Sequence, residues 1–369
     1  MRVSFFASFS HRDRPAFVRA RAVRGLSLGV GALALAAALF QCRGKDPSSN
    51  RLRFSGSALG TTYSIQIAPP FPKNREKAGV LHQAIRRELD RLDGILSTWK
   101  KDSEISRFNR YRSTAPRKTS PDFARVLALS LRAARATGGA FDPTLHELIE
   151  LWGFGKKKGG NPPSAAIISR VLARSGYKKI RLEGNRLRKL HPKIQLNLSG
   201  SAKGYIVDRL ADLIQKRGYP SYLVEIGGEI RVGTTPPSRP WKIGIELPNY
   251  KTSDRRAHAL LELKQTALAT SGDYRNFVIS GGEHRSHILD PRTGESARTP
   301  VVSATVIGPE CALADALATA LLVLGEKEGL RTIIALPGYE ALLLIKSDDG
   351  KLREAKTPGF PRYKKAELK

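Results

Sequence analysis

Asp315 and Thr319 stand four residues apart inside ALADALATALLVLG (312–325), where Leu313, Leu317, Ala320, Leu321 and Leu324 recur at helical spacing. On a helix the two polar side chains lie one turn apart on the same face. A carboxylate on so apolar a helix must be paired, hydrogen-bonded or bound to a cation. Two chemistries satisfy that demand. In one, Asp315 is structural and bonds a neighbouring loop while Thr319 bonds back to its own backbone. In the other, both oxygens hold Mg²⁺ and substrate phosphates complete its shell. The stretch by itself leaves both open.

Other stretches carry unusual polar content. NLSGSAKGYIVD (197–208) is a small-residue turn feeding a helix, with Lys203 near its start, where backbone N–H groups and an ammonium can receive phosphate oxygens. LSTWKKDSEISRFN (96–109) groups Ser97, Ser103, Glu104, Ser106 and Asn109 around Trp99 and reads as a ligand-facing loop. TGGAFDPT (137–144) leaves a helix through two glycines, and SHILDPRTG (286–294) places His287 and Asp290 in a strand before a turn. His284 and His287, three apart in a strand-like run, point to opposite faces, so a shared metal is not expected. EIGGEIRVG (225–233) lacks nucleotide-loop spacing and reads as a β-turn. No P-loop and no H-E-x-x-H occurs in the chain.

The elements that must position these residues are mixed. Residues 61–68 alternate as a strand, and 75–97 form a helix with Leu81, Ile85, Leu89, Leu92 and Leu96 on one face. Further helices are expected over 120–138, with Pro121 in its first turn, over 164–175 and over 202–217. KIRLEGNRLRKL turns at Gly184 and Asn185 as a hairpin. Strand-like runs at 222–226, 229–233, 241–246, 258–263, 276–280, 285–289 and 301–307 are separated by Gly and Pro. That texture predicts an α+β protein rather than a doubly wound one.

The 369 residues are ample for a sizeable core. A net charge of +30, from 63 Lys and Arg against 33 Asp and Glu, implies anionic company: phosphates, nucleic acid or a membrane surface. No basic stretch interleaves with stacking aromatics as an RNA-binding module would require. Residues 25–41 are uncharged, follow an Arg-rich segment and run into Cys42. Residues 1–42 are therefore expected to be an export signal cleaved before a lipidated Cys42, or an uncleaved anchor, with the body outside the cytoplasmic membrane. Residues 43–50 read as a linker, 51–350 as the folded body and 351–369 as a solvated basic tail. Cys311 then has no disulfide partner and reads as a small buried residue.

The order GTTY, LSTW, DSEISRFN, TGGAFDPT, LWGFG, SGSAKGYIVD, EIGGEI, TSGDY, HILDPRTG and ADALATA resembles the ApbE family, the FAD:protein FMN transferases, over about residues 58–345. The resemblance implies a T-fold-like arrangement of mixed and antiparallel sheets flanked by helices in one two-lobed body. It implies Mg²⁺-dependent cleavage of FAD, attachment of FMN to a threonine of a redox protein carrying a Thr-containing acceptor motif, and release of AMP. Mapped onto this chain, it makes Gly200, Asp315 and Thr319 the metal ligands. It puts Leu59, Trp99, Ala140, Phe141, Asp142, Asn197, Lys203 and His287 around FAD, and His287 or, second, Asp290 as the base. It also implies an exported lipoprotein at the cytoplasmic membrane, with no nucleic-acid partner. Two positions depart from the family pattern: Asn197 replaces a common Asp and Leu59 a common Met. A hydrolase yielding FMN and AMP, a flavin-binding lipoprotein without turnover and, from charge alone, a basic membrane-surface or nucleic-acid binder are the competing expectations.

Overall fold

The computed structural model describes residues 51–156, 162–236, 240–248, 256–274, 277–280 and 283–365. The expected leader, Cys42 and the linker lie outside the described residues. Among those described, no helix is long and apolar enough to cross a membrane.

The architecture is α+β, as the punctuation of short strands by Gly and Pro predicts. Eight antiparallel strands form the main sheet, in the spatial order β1 (Leu52–Ala58), β2 (Thr61–Ile67), β6 (Tyr222–Ile226), β7 (Glu229–Val232), β10 (Thr266–Gly272), β13 (Val301–Gly308), β14 (Glu340–Lys346) and β15 (Leu352–Lys356). A three-stranded sheet of β16 (Tyr363–Lys365), β9 (Ala257–Leu263) and β8 (Trp241–Glu246) packs against it. Smaller ladders are β3 (Arg117–Lys118), β5 (Arg186–Lys189) and β4 (Ile180–Glu183), and the hairpin β11 (Phe277–Ser280) with β12 (Glu283–Ser286).

Seven helices are described: α1 (Ala78–Leu96), α2 (Glu104–Arg110), α3 (Pro121–Ala136), α4 (His146–Leu151), α5 (Ala165–Arg174), α6 (Ser199–Lys216) and α7 (Cys311–Ile334). The period-2 pattern of the central strands explains how the sheet is covered on both faces. On β14, Ala341, Leu343 and Ile345 join the core of α7, whereas Leu342 joins the core formed with β8 and β9. β10 divides the same way, with Ala269 toward α7 and Leu268 away from it. Hence β13 is buried along its whole length, and α7 is apolar nearly all round.

Several expectations are corrected. Residues 104–110 form a helix rather than a ligand-facing loop, because the Ser103 hydroxyl accepts from the Ser106 N–H and caps it. Residues 352–365 are no solvated tail: β15 extends the main sheet, β16 pairs with β9, and Thr357 and Phe360 between them are buried. Alternating charge in the sequence hid these strands, since an edge strand needs only one apolar face. His287 and Asp290 follow β12 instead of lying in a strand. Finally, α7 runs on to Ile334 across a break at Gly325, whose φ of 72° is natural only for glycine in a helix interrupted this way.

Candidate active site

Two helices meet where Gly204 of α6 faces the start of α7; any Cβ at Gly204 would run into the Cys311 carbonyl. That contact brings the Gly204 N–H within 3.1 Å of Asp315 Oδ2, across 111 residues of sequence. Asp315 is 2% exposed. Burial pushes its carboxyl above the ordinary range, opposed by the Lys203 ammonium and this hydrogen bond. One turn on, Thr319 bonds back to the Asp315 carbonyl at 3.3 Å, the structural behaviour considered from sequence. Its Oγ1 also lies 3.1 Å from the Ser271 hydroxyl of β10.

The N-terminus of α6 closes the same point. A Cβ at Gly200 would stand 3.5 Å from Thr319 Oγ1 and 2.9 Å from the Phe141 ring, so glycine lets backbone, hydroxyl and ring converge. Thr319, Gly200 and Phe141 thus meet, with the buried Asp315 one turn back along α7. Among the described residues no three His, Cys, Asp or Glu side chains group as a metal centre. A cation here has to draw on hydroxyl and carbonyl oxygens beside the single carboxylate, which is the hard-oxygen chemistry that suits Mg²⁺. The donor set therefore fits the ion.

Lys203 is positioned differently from expectation. Its Nζ lies 2.5 Å from Glu229 Oε1 and 4.0 Å from Asp315 Oδ1, so its charge is engaged by two buried carboxylates rather than offered wholly to phosphate. Glu229 is the residue that sequence reading missed. It opens β7 directly after the turn at Gly227 and Gly228, both at positive φ, and EIGGEI read only as a turn. No local signal marked it, because Lys203 lies 26 residues away on another element.

The segments around this point are fastened by backbone bonds. Asn109 of α2 grips Leu196 twice, donating to its carbonyl at 2.8 Å and accepting from its N–H at 2.7 Å. Asn197 follows; its N–H donates to the Pro143 carbonyl at 2.8 Å and its Oδ1 accepts from Ser199 N–H and Oγ–H at 2.9 and 2.5 Å. Asn197 thus shapes the entry to α6, a task an Asp would share. Asp142 is likewise occupied: it accepts from Thr144 at 2.8 and 2.6 Å and from the Tyr177 N–H at 2.8 Å, and burial raises its carboxyl. Its carboxylate ties the loop after Ala140 and Phe141, which are both buried.

Leu59 and Gly60 form the turn between β1 and β2, with φ of 57° and 74°. A left-handed leucine is a strained choice in a turn that glycine would serve without cost. This turn shares an end of the sheet with Gly227, whose N–H donates to the Thr62 carbonyl at 3.2 Å. Trp99 projects from the turn after α1 with 59% of its surface exposed, a large indole without cover.

The segment with His287 is buttressed by LWGFG. Trp152 Nε1 donates to the Gly294 carbonyl at 2.7 Å, and the Phe154 ring meets His287 edge-on at 6.3 Å. Ile288 joins the core shared with Phe141 and Leu317, which fixes the segment beside α7. Asp290 is not poised as a base, since Arg292 grips both its oxygens at 2.8 to 3.1 Å. Arg292 also reaches the Val323 carbonyl at 3.5 Å, and Thr299 Oγ1 donates to the Leu322 carbonyl at 2.8 Å, satisfying groups freed by the break at Gly325.

Comparison with known proteins points to one family. The ApbE family model matches residues 59–343. The FAD:protein FMN transferase of Vibrio cholerae serotype O1 is 37% identical, covering 85% of this chain and 93% of that one. That of Haemophilus influenzae is 35% identical, covering 89% and 95%. The solved flavin transferase ApbE from Vibrio cholerae superposes with a TM-score of 0.76 at 36% identity over 84% of this chain and 98% of that one. The Pseudomonas stutzeri flavinyl transferase ApbE, in its apo form, gives 0.75 at 33% identity over 84% and 95%. With the family model matching residues 59–343 and relatives 35–37% identical over most of both chains, this chain belongs to the ApbE family.

Proposed function

We propose that this protein transfers the FMN half of FAD to a threonine hydroxyl of a partner redox protein, with AMP leaving. The observation that carries this reading is the meeting of Gly200, Phe141 and Thr319 one helical turn from the buried Asp315, in a chain whose relatives bear the name FAD:protein FMN transferase. Mg²⁺ held by Asp315, Thr319 and the Gly200 carbonyl would neutralise pyrophosphate charge and stabilise the departing phosphate.

The chain's own residues account for the rest. The threonine oxygen forms a bond to the phosphorus of the FMN half, the bond from that phosphorus to the AMP oxygen breaks, and the threonine proton passes to His287. Trp99 offers a face for ring stacking and Leu59 an apolar contact. Phe141 and Ala140 wall the phosphate end, and the α6 N-terminus presents backbone N–H groups to it. Anchoring to the outer face of the cytoplasmic membrane, through a lipidated Cys42 after cleavage of the preceding residues or through an uncleaved N-terminal segment, would place the enzyme beside membrane-bound acceptors.

The test is incubation of the full-length protein with FAD, Mg²⁺ and an acceptor protein bearing a Thr-containing motif, followed by mass spectrometry. An added FMN that disappears with chelator and with Asp315→Ala is the expected result. Free FMN and AMP without adduct would make the protein a hydrolase, and intact bound FAD would make it a flavin carrier.

A further inference from the structure

We infer that Glu229 is a positioning residue for the metal site: it holds the Lys203 ammonium away from Asp315, so that the carboxylate stays open to the cation. The inference rests on the reading of Asp315 as a metal ligand. Lys203 stands on α6 one turn beyond Gly200, and its Nζ is shared unequally, 2.5 Å from Glu229 Oε1 but 4.0 Å from Asp315 Oδ1. The other Asp315 oxygen already takes the Gly204 N–H at 3.1 Å. Oδ1 is therefore the oxygen at stake between lysine and cation.

Glu229 cannot drift from this position. It is 1% exposed, opens β7 opposite Ile226, and follows a turn whose Gly227 has φ of 61° and packs so closely on Thr61 that a Cβ would sit 3.0 Å from its methyl. Lys203 keeps 34% of its side chain exposed, against 1% for Glu229, and is the less enclosed of the two. Without the Glu229 charge, more of its attraction falls on Asp315, and a shift of about 1 Å makes a direct ion pair. A cation then has to displace that ammonium before it can bind.

The experiment is a titration of the full-length protein with Mn²⁺ alone, followed by electron paramagnetic resonance of the free ion. The set is wild type, Glu229→Gln, Lys203→Met, the double variant and Asp315→Asn. Glu229→Gln should bind Mn²⁺ about tenfold more weakly than wild type. In the Lys203→Met background the same change should cost less than about twofold, because its effect runs through the lysine. The double variant is uncharged and nearly isosteric at the pair, so it keeps the comparison available should Glu229→Gln alone fold poorly. Unchanged affinity in Glu229→Gln, or an equal loss in both backgrounds, overturns the positioning role while Asp315→Asn still abolishes binding. Wild-type affinity retained by Asp315→Asn overturns the metal reading itself and the positioning role with it.

Discussion

Asp208 on α6 holds the first amides of α7: its Oδ1 accepts from the Cys311 N–H at 3.1 Å and its Oδ2 from the Ala312 N–H at 3.0 Å. The residue at the helix's own cap position, Glu310, makes no capping bond and instead pairs with Arg125 and Arg132. The helix that carries Asp315 and Thr319 is thus started by a side chain about a hundred residues earlier. Arg231, 2.6 Å from Asp208 Oδ1, completes the arrangement. Asp208→Asn keeps one acceptor but loses the charge, and should cost about 2 kcal/mol in denaturant unfolding. Because α7 is registered against α6 here, Mn²⁺ affinity at Asp315 should fall with it.

Of the two candidate bases, the geometry separates one from the other. Asp290 is clasped by Arg292, whereas His287 packs edge-on to Phe154. His287→Ala should slow single-turnover transfer by about 10²- to 10⁴-fold and leave FAD affinity, read by fluorescence titration, close to wild type. Asp290→Asn should chiefly lower the melting temperature, since it releases the turn from the Val323 carbonyl. Equal losses of rate and affinity in His287→Ala would make it a binding residue.

Much of this was legible in sequence where periodicity or caps are strong. The Ser120 and Pro121 start, the leucine faces of α1 and α7 and the turn at Gly184 all lie where pattern puts them. Local spacing also showed that Asp315 and Thr319 share a face. It could not show what the face meets, because Gly204, Gly200 and Ser271 come from distant parts of the chain. Glu229 and Asp208 were hidden for the same reason: each lies in an unremarkable strand or helix and acquires its role only across an element boundary. The edge strand β15 escaped because LREAK has no apolar alternation to read.

Trp99 supplies a test confined to ligand binding. With 59% of its surface exposed it contributes little to the core, so Trp99→Ala should leave unfolding free energy within about 0.5 kcal/mol of wild type. Loss of ring stacking should weaken FAD binding by about 1 to 3 kcal/mol, and Trp99→Phe should restore part of it. Isothermal titration with FAD reads both.

Leu59 sets stability against function. At φ of 57° its side chain crowds its own carbonyl, so Leu59→Gly should stabilise the fold by about 1 kcal/mol. If the strain is kept for an apolar contact with the flavin, the same change should weaken FAD binding. A variant both more stable and fully competent would show that Leu59 has no ligand role.

Lys189 gives a prediction with a defined pH window. It is 1% exposed, donates to the Ile194 carbonyl at 2.9 Å and lies 4.9 Å over the Phe108 ring, immediately before the segment that leads into α6. Burial, aided by Arg112, pushes its ammonium down to about 8. Between that value and the ordinary one near 10.5, the unfolded chain holds a proton that the folded chain has lost, so stability rises with pH across the interval. Below it both states are charged and the fold bears the full cost of the buried ammonium. Lys189→Met should therefore stabilise the protein by about 1 to 2 kcal/mol at pH 7, after allowance for the Ile194 carbonyl left unbonded. The gain should shrink as pH climbs through the window, because wild-type Lys189 becomes neutral in the fold. Denaturant unfolding of both proteins at pH 7 and pH 10 measures the difference. A gain that is constant with pH would mean that Lys189 stays charged in place, held by the carbonyl and the ring.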